Sequence, residues 1–162
     1  NHTDLRSFTE RFSLPFYYIP HQHRSKEDFE NEISGILSEH QPDYLVLAKF
    51  MQILSSDFVA RYPNRIINIH HSFLPAFAGG RPYHQAFIRG VKLIGATAHF
   101  VTESLDDGPI ITQQTITIDH TYTVAEMVRA GQEVEKTVLN KAIALVTGDK
   151  VFVSGNKTIV FE

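Results

Sequence analysis

Residues that could do chemistry meet at the end of one short apolar run. Ile66, Ile67 and Ile69 predict a buried strand, and Asn68 and His70 alternate with them. Residues two apart in an extended chain point to the same face, so the amide of Asn68 and the imidazole of His70 should lie side by side. An amide and an imidazole in this arrangement can polarise a carbonyl group and move a proton.

A carboxylate from a later loop can complete the pair. Asp106 lies in the loop Thr102–Pro109, which follows the predicted strand that carries His99. If that strand pairs with the strand of His70, the carboxylate can reach the imidazole, favour its charged form and fix its orientation. Asn68 could then donate to a developing oxyanion. The spacing therefore indicates a candidate catalytic group of Asn68, His70 and Asp106.

The same residues also have simpler interpretations. A histidine at a strand end is often only a satisfied polar group, and the Asp-Asp-Gly-Pro sequence at 106–109 is common in turns. A metal site built from four histidines is a third interpretation, but no two of them have the i,i+4 spacing of a helical zinc site. The four are His70, His71, His84 and His99.

The composition is that of one globular domain. The chain has 162 residues, of which 43% are apolar and 20% charged, enough to bury a core. Its formal net charge of −3 provides no broad basic field for nucleic acid or anionic lipid. No apolar run approaches the roughly 18 residues of a membrane span. Without cysteine the chain forms no disulfide, which fits a reducing compartment, so we expect a cytoplasmic protein.

The start of the chain is abrupt. Asn1 is not an initiator methionine, and the first residues, NHTDLRSF, do not resemble a signal peptide. We therefore expect residues to be missing upstream.

Helices and strands alternate in the first half, which predicts an α/β fold with crossover units and a parallel sheet. Tyr44–Ala48 is continuously apolar, typical of a strand buried on both faces. A second strand is expected at Phe16–Ile19. Helices are expected at Asp4–Arg11, from the Ser25–Asp28 capping box to Glu39, at Ser56–Tyr62 and at Tyr83–Arg89.

The second half has longer elements. Strands are predicted at Leu93–Val101 and Ile110–Ile118. A capping box at Thr123 and Glu126 begins a long helix. Its buried face is predicted to contain Val124, Met127 or Val128, Val134, Val138, Ala142 and Leu145. Gly155 and Asn156 predict the two-residue turn of a final hairpin.

Two further segments have alternative interpretations. Phe50–Leu54 is apolar and follows a strand, so it is either core or the wall of a site for a flat aromatic ligand. Arg81 follows Gly79 and Gly80 in a loop and is either a solvated residue or an anion contact.

The segments NIHHSFLP and HFVTESLDDGPII resemble the folate-dependent formyltransferase family. That family has an Asn-x-His motif and, downstream, an aspartate in an LDxGP-like turn, matching Asn68, His70 and Asp106. AKFMQIL, RPYHQAF and the C-terminal tail resemble its hydrolase branch, the deformylases. His71 also resembles the deformylase branch. At this position, transferases acting on glycinamide ribonucleotide usually have proline, and those acting on initiator methionyl-tRNA usually have alanine. The resemblance covers nearly the whole chain.

The resemblance implies a Rossmann-like formyltransferase fold, a mostly parallel twisted sheet flanked by helices, with residues 1–162 as a partial catalytic domain. The family's first strand, helix and second strand are missing from this sequence, and so is the ACT-type domain that precedes them in the deformylase branch. Gly80 stands where a small residue such as alanine is expected.

The implied activity is hydrolysis of 10-formyltetrahydrofolate to tetrahydrofolate and formate, with formate supplied to purine synthesis. Asn68 and His70 would hold the oxyanion, and Asp106 would keep His70 charged, position water or shuttle the proton. No metal or cofactor beyond the folate is expected, and the protein is expected to be a homo-oligomer. Expected substrate-binding residues are Met51, Gln52, Ile53, Leu54, Thr102 and Glu103; His71, Arg81 and Tyr83 would shape the acceptor side.

Two other functions stay open at this point. One is formyl transfer to glycinamide ribonucleotide or to an amino sugar. The other is a folate-binding or assembly protein without turnover.

Overall fold

The computed structural model describes residues 3–76 and 81–161, so Gly79 and Gly80 lie outside the described residues. The chain divides after Asp43 into two compact units. The single catalytic domain expected from the sequence stays a prediction. Over the described residues, no helix combines the length and apolarity that crossing a bilayer requires.

The first unit contains helices α1 (Arg6–Arg11) and α2 (Lys26–His40). Ser25 caps α2, because its hydroxyl oxygen accepts a hydrogen bond from the backbone N–H of Asp28 and also donates to the Asp28 carboxylate. Both helices were predicted within about two residues, the usual uncertainty of helix ends. The strand predicted at Phe16–Ile19 is wrong, because no described strand pairs with these residues and a strand exists only through such pairing.

The second unit is built on a four-stranded sheet in the order β1-β2-β3-β4. Its strands are β1 (Leu45–Leu47), β2 (Ile66–His70), β3 (Leu93–Phe100) and β4 (Ile110–Thr117). Helix α3 (Ser56–Ala60) lies in the connection between the parallel strands β1 and β2. Helix α4 (Pro82–Arg89) lies in the connection between β2 and β3.

The α/β class is confirmed, but the described sheet is mixed rather than mostly parallel. β3 runs antiparallel to β2, and β4 runs antiparallel to β3. The short loop between β3 and β4 explains the second pairing, because a parallel connection needs a crossover of about a dozen residues or more. The apolar periodicity of a strand does not encode its direction.

β1 is an edge strand of the described sheet, which corrects one expectation: Val46 is 41% exposed rather than buried on both faces. In the loop that follows, core is the wrong interpretation for Met51 and Ile53, which are 67% and 57% exposed, while Phe50 and Leu54 are half-buried. The side chains of Met51 and Ile53 therefore remain accessible to a ligand.

Helix α5 (Val124–Thr147) covers one face of the sheet. It begins at the predicted capping box of Thr123 and Glu126. Its predicted apolar face is confirmed, except that Val124 is only half-buried. The core formed with the sheet contains Ile67, Ala96, Ala98, Phe100, Ile111, Val134, Val138, Ala142, Leu145 and Val146.

The final hairpin is also confirmed. Strands β5 (Val151–Ser154) and β6 (Lys157–Val160) are antiparallel partners. Gly155 supplies the left-handed backbone of the turn, with φ of 60°.

We expect Gly131→Ala in α5 to destabilise the protein by about 1–3 kcal/mol. An added Cβ would lie 2.1 Å from the hydroxyl oxygen of the buried Tyr83 ring, which would have to move. Gly35→Ala in α2 is the matched control, because nothing lies within 4 Å of its added Cβ. That change should stabilise by about 0.5–1 kcal/mol through helix propensity. Urea unfolding of both variants measures the difference, and equal effects would contradict the close packing at Gly131.

Candidate active site

The pairing of β2 with β3 forms the base of the site. Asn68 and His70 point to the same face of β2, and Asn68 lies opposite His99 of β3 in the ladder register. His70 and His99 are buried, with 5% and 2% of their surfaces exposed. Two imidazoles and an amide therefore occupy a shielded part of the sheet surface.

The loop that carries Asp106 must fold back to reach these groups. Because β3 is antiparallel to β2, Phe100 lies opposite Ile67, near the start of β2. Yet an Asp106 carboxylate oxygen lies 3.4 Å from Nδ1 of His70, at the other end of that strand. The second carboxylate oxygen lies 3.8 Å from Nε2 of His99. The predicted approach of Asp106 to His70 is thus confirmed, and the carboxylate faces both imidazoles.

The backbone of this loop has two special positions. Asp106 itself has φ of 53°, the left-handed region that aspartate tolerates better than most residues. At Gly108 an added Cβ would lie 1.8 Å from the carbonyl oxygen of Phe100, so only glycine allows this approach. The Phe100 N–H donates to the Pro109 carbonyl at 2.9 Å and closes the base of the loop.

His99 is the imidazole that the structure holds neutral. Burial lowers its pKa, and this outweighs the opposing effects of its hydrogen bond to Phe100 and of the Asp106 charge. Its Nδ1 lies 2.9 Å from the Phe100 carbonyl, which can only accept, so Nδ1 carries the hydrogen. Nε2 is then an acceptor, and the Asn68 amide nitrogen donates to it at 3.3 Å. His99 therefore orients the Asn68 amide.

A second network fixes the turn that follows His70. Thr97 is fully buried, and its hydroxyl donates to the Ser72 carbonyl at 2.8 Å. The same oxygen accepts from the Leu74 N–H at 3.0 Å and from the Gln113 amide at 2.9 Å. These bonds tie the turn to β3 and β4, so the position of His70 does not depend on β2 alone.

Asn68, His70 and Asp106 open onto a cavity of about 530 Å³. This volume is sufficient for part of a small-molecule ligand. Of the predicted site residues, Met51, Gln52, Ile53, His71 and Tyr83 also line it. Sequence reasoning missed Lys49, Leu105, Gln132 and Glu135, which lie on its wall too.

Helices α4 and α5 contribute Tyr83, Gln132 and Glu135 to the wall of this cavity. The Tyr83 hydroxyl donates to the Glu135 carboxylate at 2.7 Å, and burial together with this carboxylate raises the pKa of Tyr83 well above its ordinary value. The ring of His71 lies 6.1 Å from that of Tyr83 and 5.2 Å from that of His70, measured between centroids. Gln132 and Glu135 are three apart and so share one face of α5, but this helix carries other polar and charged residues, so no signal in the sequence separates these two from the rest.

The remaining predicted residues lie elsewhere. Leu54, Thr102 and Glu103 line a smaller cavity of about 60 Å³, which shares Asn68 and Asp106 with the main one. Arg81 lines neither cavity and precedes α4 with φ of 56°. Its place on the acceptor side stays a prediction, as do the roles of the other site residues.

No group of three or more metal-ligating side chains with suitable geometry occurs within residues 3–76 and 81–161. His70 and His99 face a carboxylate and an amide instead.

We predict that His99 makes stability fall at low pH. The pKa of His99 is lower in the folded than in the unfolded state. As the pH falls, the unfolded chain therefore binds a proton at His99 before the folded chain does. This contribution is fully present above about pH 6.5 and is lost as the pH falls toward the lower pKa of the folded state. Between about pH 7.5 and 5.5, the wild type should lose more unfolding free energy than His99→Gln.

Urea unfolding at the two pH values measures this difference. His84→Gln is the control, because His84 is exposed on α4. Equal pH dependence of the wild type and His99→Gln would contradict a neutral His99.

Comparisons with a family profile, with related sequences and with solved structures all match the same family. The profile of the formyl transferase family matches residues 3–143. A formyltetrahydrofolate deformylase of Escherichia coli O6:H1 is 56% identical over 160 residues, 99% of this chain and 57% of the relative. The crystal structure of a formyltetrahydrofolate deformylase from Pseudomonas syringae pv. tomato has a TM-score of 0.96 and 49% identity, covering 100% of this chain and 54% of that one.

A glycinamide ribonucleotide transformylase from Symbiobacterium toebii is more distant. Its TM-score is 0.89 and its identity 30%, over 96% of this chain and 74% of that one. The chain spans a little over half the length of the deformylases that it matches. With a profile match over most of its residues and these relatives, the chain belongs to the formyl transferase family.

Proposed function

We propose that the protein to which this chain belongs hydrolyses 10-formyltetrahydrofolate to tetrahydrofolate and formate. The observation that carries the proposal is the convergence of Asn68, His70 and Asp106 on one cavity, with His70 and Asp106 only 3.4 Å apart. The name of the E. coli relative, formyltetrahydrofolate deformylase, supports the substrate and the reaction.

The reaction is the hydrolysis of an amide-like C–N bond. Water adds to the formyl carbon and gives one proton to the His70–Asp106 pair, so that a tetrahedral oxyanion forms. The C–N bond then breaks, its electron pair goes to N10, which takes up that proton, and the oxyanion becomes the carbonyl of formic acid. Formic acid loses its remaining proton to solvent, and formate and tetrahydrofolate leave. A half-buried carboxylate in contact with a buried imidazole suits this proton transfer, which typically contributes about 10²–10⁴-fold.

The oxyanion needs hydrogen-bond donors that are already in place. His99 accepts one N–H of the Asn68 amide, which leaves the second N–H for the cavity that Asn68 lines. His70 supplies the other donor from the same strand face. Each donor of this kind is worth roughly 3 kcal/mol in the barrier. Because Asn68 and His70 are fixed by strand and ladder, little reorganisation is needed during the reaction.

The folate ring would lie against the loop between β1 and α3. Met51 and Ile53 are exposed there and form an apolar wall beside Asn68 and His70. Apolar walls with a few polar groups are typical of sites for flat ligands. Gln52, Leu54, Thr102 and Glu103 would complete the folate side, and no cofactor beyond the folate is invoked.

The acceptor side would decide between water and an amine. His71 and Tyr83 line the same cavity as the exposed loop, and Tyr83 is held by Glu135. In a hydrolase this part of the wall must admit water and exclude a larger nucleophile. We assign that task to His71 and Tyr83, with Arg81, which lines neither cavity, as the third predicted residue of the acceptor side.

The wider role follows from the products. Formate from this reaction would enter purine synthesis and keep the one-carbon pool in balance. We propose a cytoplasmic homo-oligomer with the folate as its small-molecule partner, and no nucleic-acid or membrane partner.

Formyl transfer to glycinamide ribonucleotide is the second candidate, supported by the similarity to the S. toebii transformylase. A formate-release assay on the complete protein separates the two, with 10-formyltetrahydrofolate and no acceptor. Release without an acceptor supports hydrolysis. Release of the formyl group only after an amine acceptor is added would overturn it in favour of transfer, and no turnover with either would indicate a folate-binding protein.

In this assay Asp106→Asn should lower kcat by about 10²-fold or more, because the amide can neither carry charge nor accept the proton. Asp107→Asn is a matched control, since Asp107 is the exposed neighbour in the same loop and should keep near-normal turnover. Normal far-UV circular dichroism would establish that both variants fold. Near-normal turnover of Asp106→Asn would contradict its catalytic role.

His71→Pro should lower the ratio of hydrolysis to formyl transfer when an amine acceptor is present, because the imidazole beside Tyr83 would be lost. The ratio is measured as formate against formylated amine. His84→Ala, on the exposed surface of α4, should leave the ratio unchanged. An unchanged ratio in His71→Pro would remove His71 from the acceptor side.

A further inference from the structure

The carboxylate of Asp106 is held by a loop that needs support from outside. The loop folds back along β2, and Asp106 adopts a left-handed backbone that costs conformational energy. Leu105 and Asp107, on either side of it, are exposed. The bond between Phe100 and Pro109 closes the base of the loop but does not hold its tip.

The C-terminal hairpin provides a contact at that tip. The side-chain amide of Asn156, in the turn between β5 and β6, donates to the carbonyl oxygen of Asp107 at 2.9 Å. These residues are far apart in sequence, and the accepting carbonyl belongs to the residue directly after Asp106. The bond therefore acts next to the left-handed position.

The hairpin has a second bond to the same region. The Thr158 hydroxyl of β6 donates to the carbonyl of Ile110, the first residue of β4. Two bonds thus connect the hairpin to both sides of the Gly108–Pro109 segment. At Asp107 the hairpin contacts the backbone carbonyl and not the carboxylate.

We propose that Asn156 is a positioning residue, which holds the loop so that the Asp106 carboxylate faces His70 and His99. This inference rests on the proposed hydrolysis only for the part of its test that measures turnover. Asn156 contacts no reacting atom and acts through the Asp107 carbonyl.

Asn156 can be substituted without straining the backbone of the turn. Gly155 carries the positive φ of the turn, and Asn156 is not among the described residues with a positive φ. Alanine or aspartate at 156 should therefore keep the turn. Aspartate has the shape of asparagine but no N–H, so it removes the donor and places a charge that the Asp107 carbonyl repels, whereas alanine removes the side-chain amide without adding a charge.

The test compares Asn156→Ala and Asn156→Asp with the wild type in the complete protein. Both should lower kcat in formate release about three- to tenfold, the rate equivalent of one hydrogen bond, with KM within about twofold. Amide hydrogen exchange of residues 100–110, measured by mass spectrometry, should become faster. Asn140→Ala is the control, since Asn140 is an exposed asparagine on α5; it should change neither quantity.

Several outcomes would overturn the proposal. Unchanged kcat in both variants excludes a role in positioning, even if the loop exchanges faster. Faster exchange in α5 as well would mean general destabilisation rather than loss of one contact. If the wild type releases no formate, the proposed function fails, and exchange at residues 100–110 alone decides whether Asn156 holds the loop.

Discussion

The antiparallel pairing of β2 with β3 is the interaction on which the site depends. It places Asn68 opposite His99, and so allows a neutral imidazole to orient an amide. It also sends the loop after β3 away from His70, so this loop has to fold back before Asp106 can contact the imidazole. A parallel β3 would place its following loop beside His70 directly, but His99 would then face a different residue.

The division of work between the two imidazoles follows from their surroundings. His99 is buried beside a backbone carbonyl, and burial keeps it neutral. His70 lies closer to the Asp106 carboxylate and lines the cavity. The Asp106 carboxylate therefore contacts His70, the histidine that lines the main cavity, while the neutral His99 orients the Asn68 amide. Separate environments for similar groups are a common way to assign acid–base roles.

Much of this arrangement was predictable from the sequence. The alternation around Asn68 and His70 predicts β2, and the capping boxes predict α2 and α5. The approach of Asp106 to His70 required one assumption, that their strands are neighbours. The rest depends on tertiary context. Strand direction, the exposure of Val46 at a sheet edge and the absence of a strand at Phe16–Ile19 are decided by which strands pair.

The contribution of Glu135 could not be predicted for a different reason. A charged residue on a long helix is usually solvated, and only the packing of α4 against α5 brings the Tyr83 hydroxyl to it. Asn156 is similar, because a turn asparagine is explained locally until the fold places it at the Asp106 loop.

The cavity has one stiff wall and one compliant wall. Glu135 follows Val134, a core residue of α5, so the Tyr83–Glu135 side cannot shift without disturbing close-packed side chains. The part of the wall formed by Met51 and Ile53 belongs to an exposed loop with little packing to disturb. Discrimination by size belongs on the stiff wall, since a rigid surface rejects what does not fit. The compliant wall can adapt to the shape of a ring system at small energetic cost.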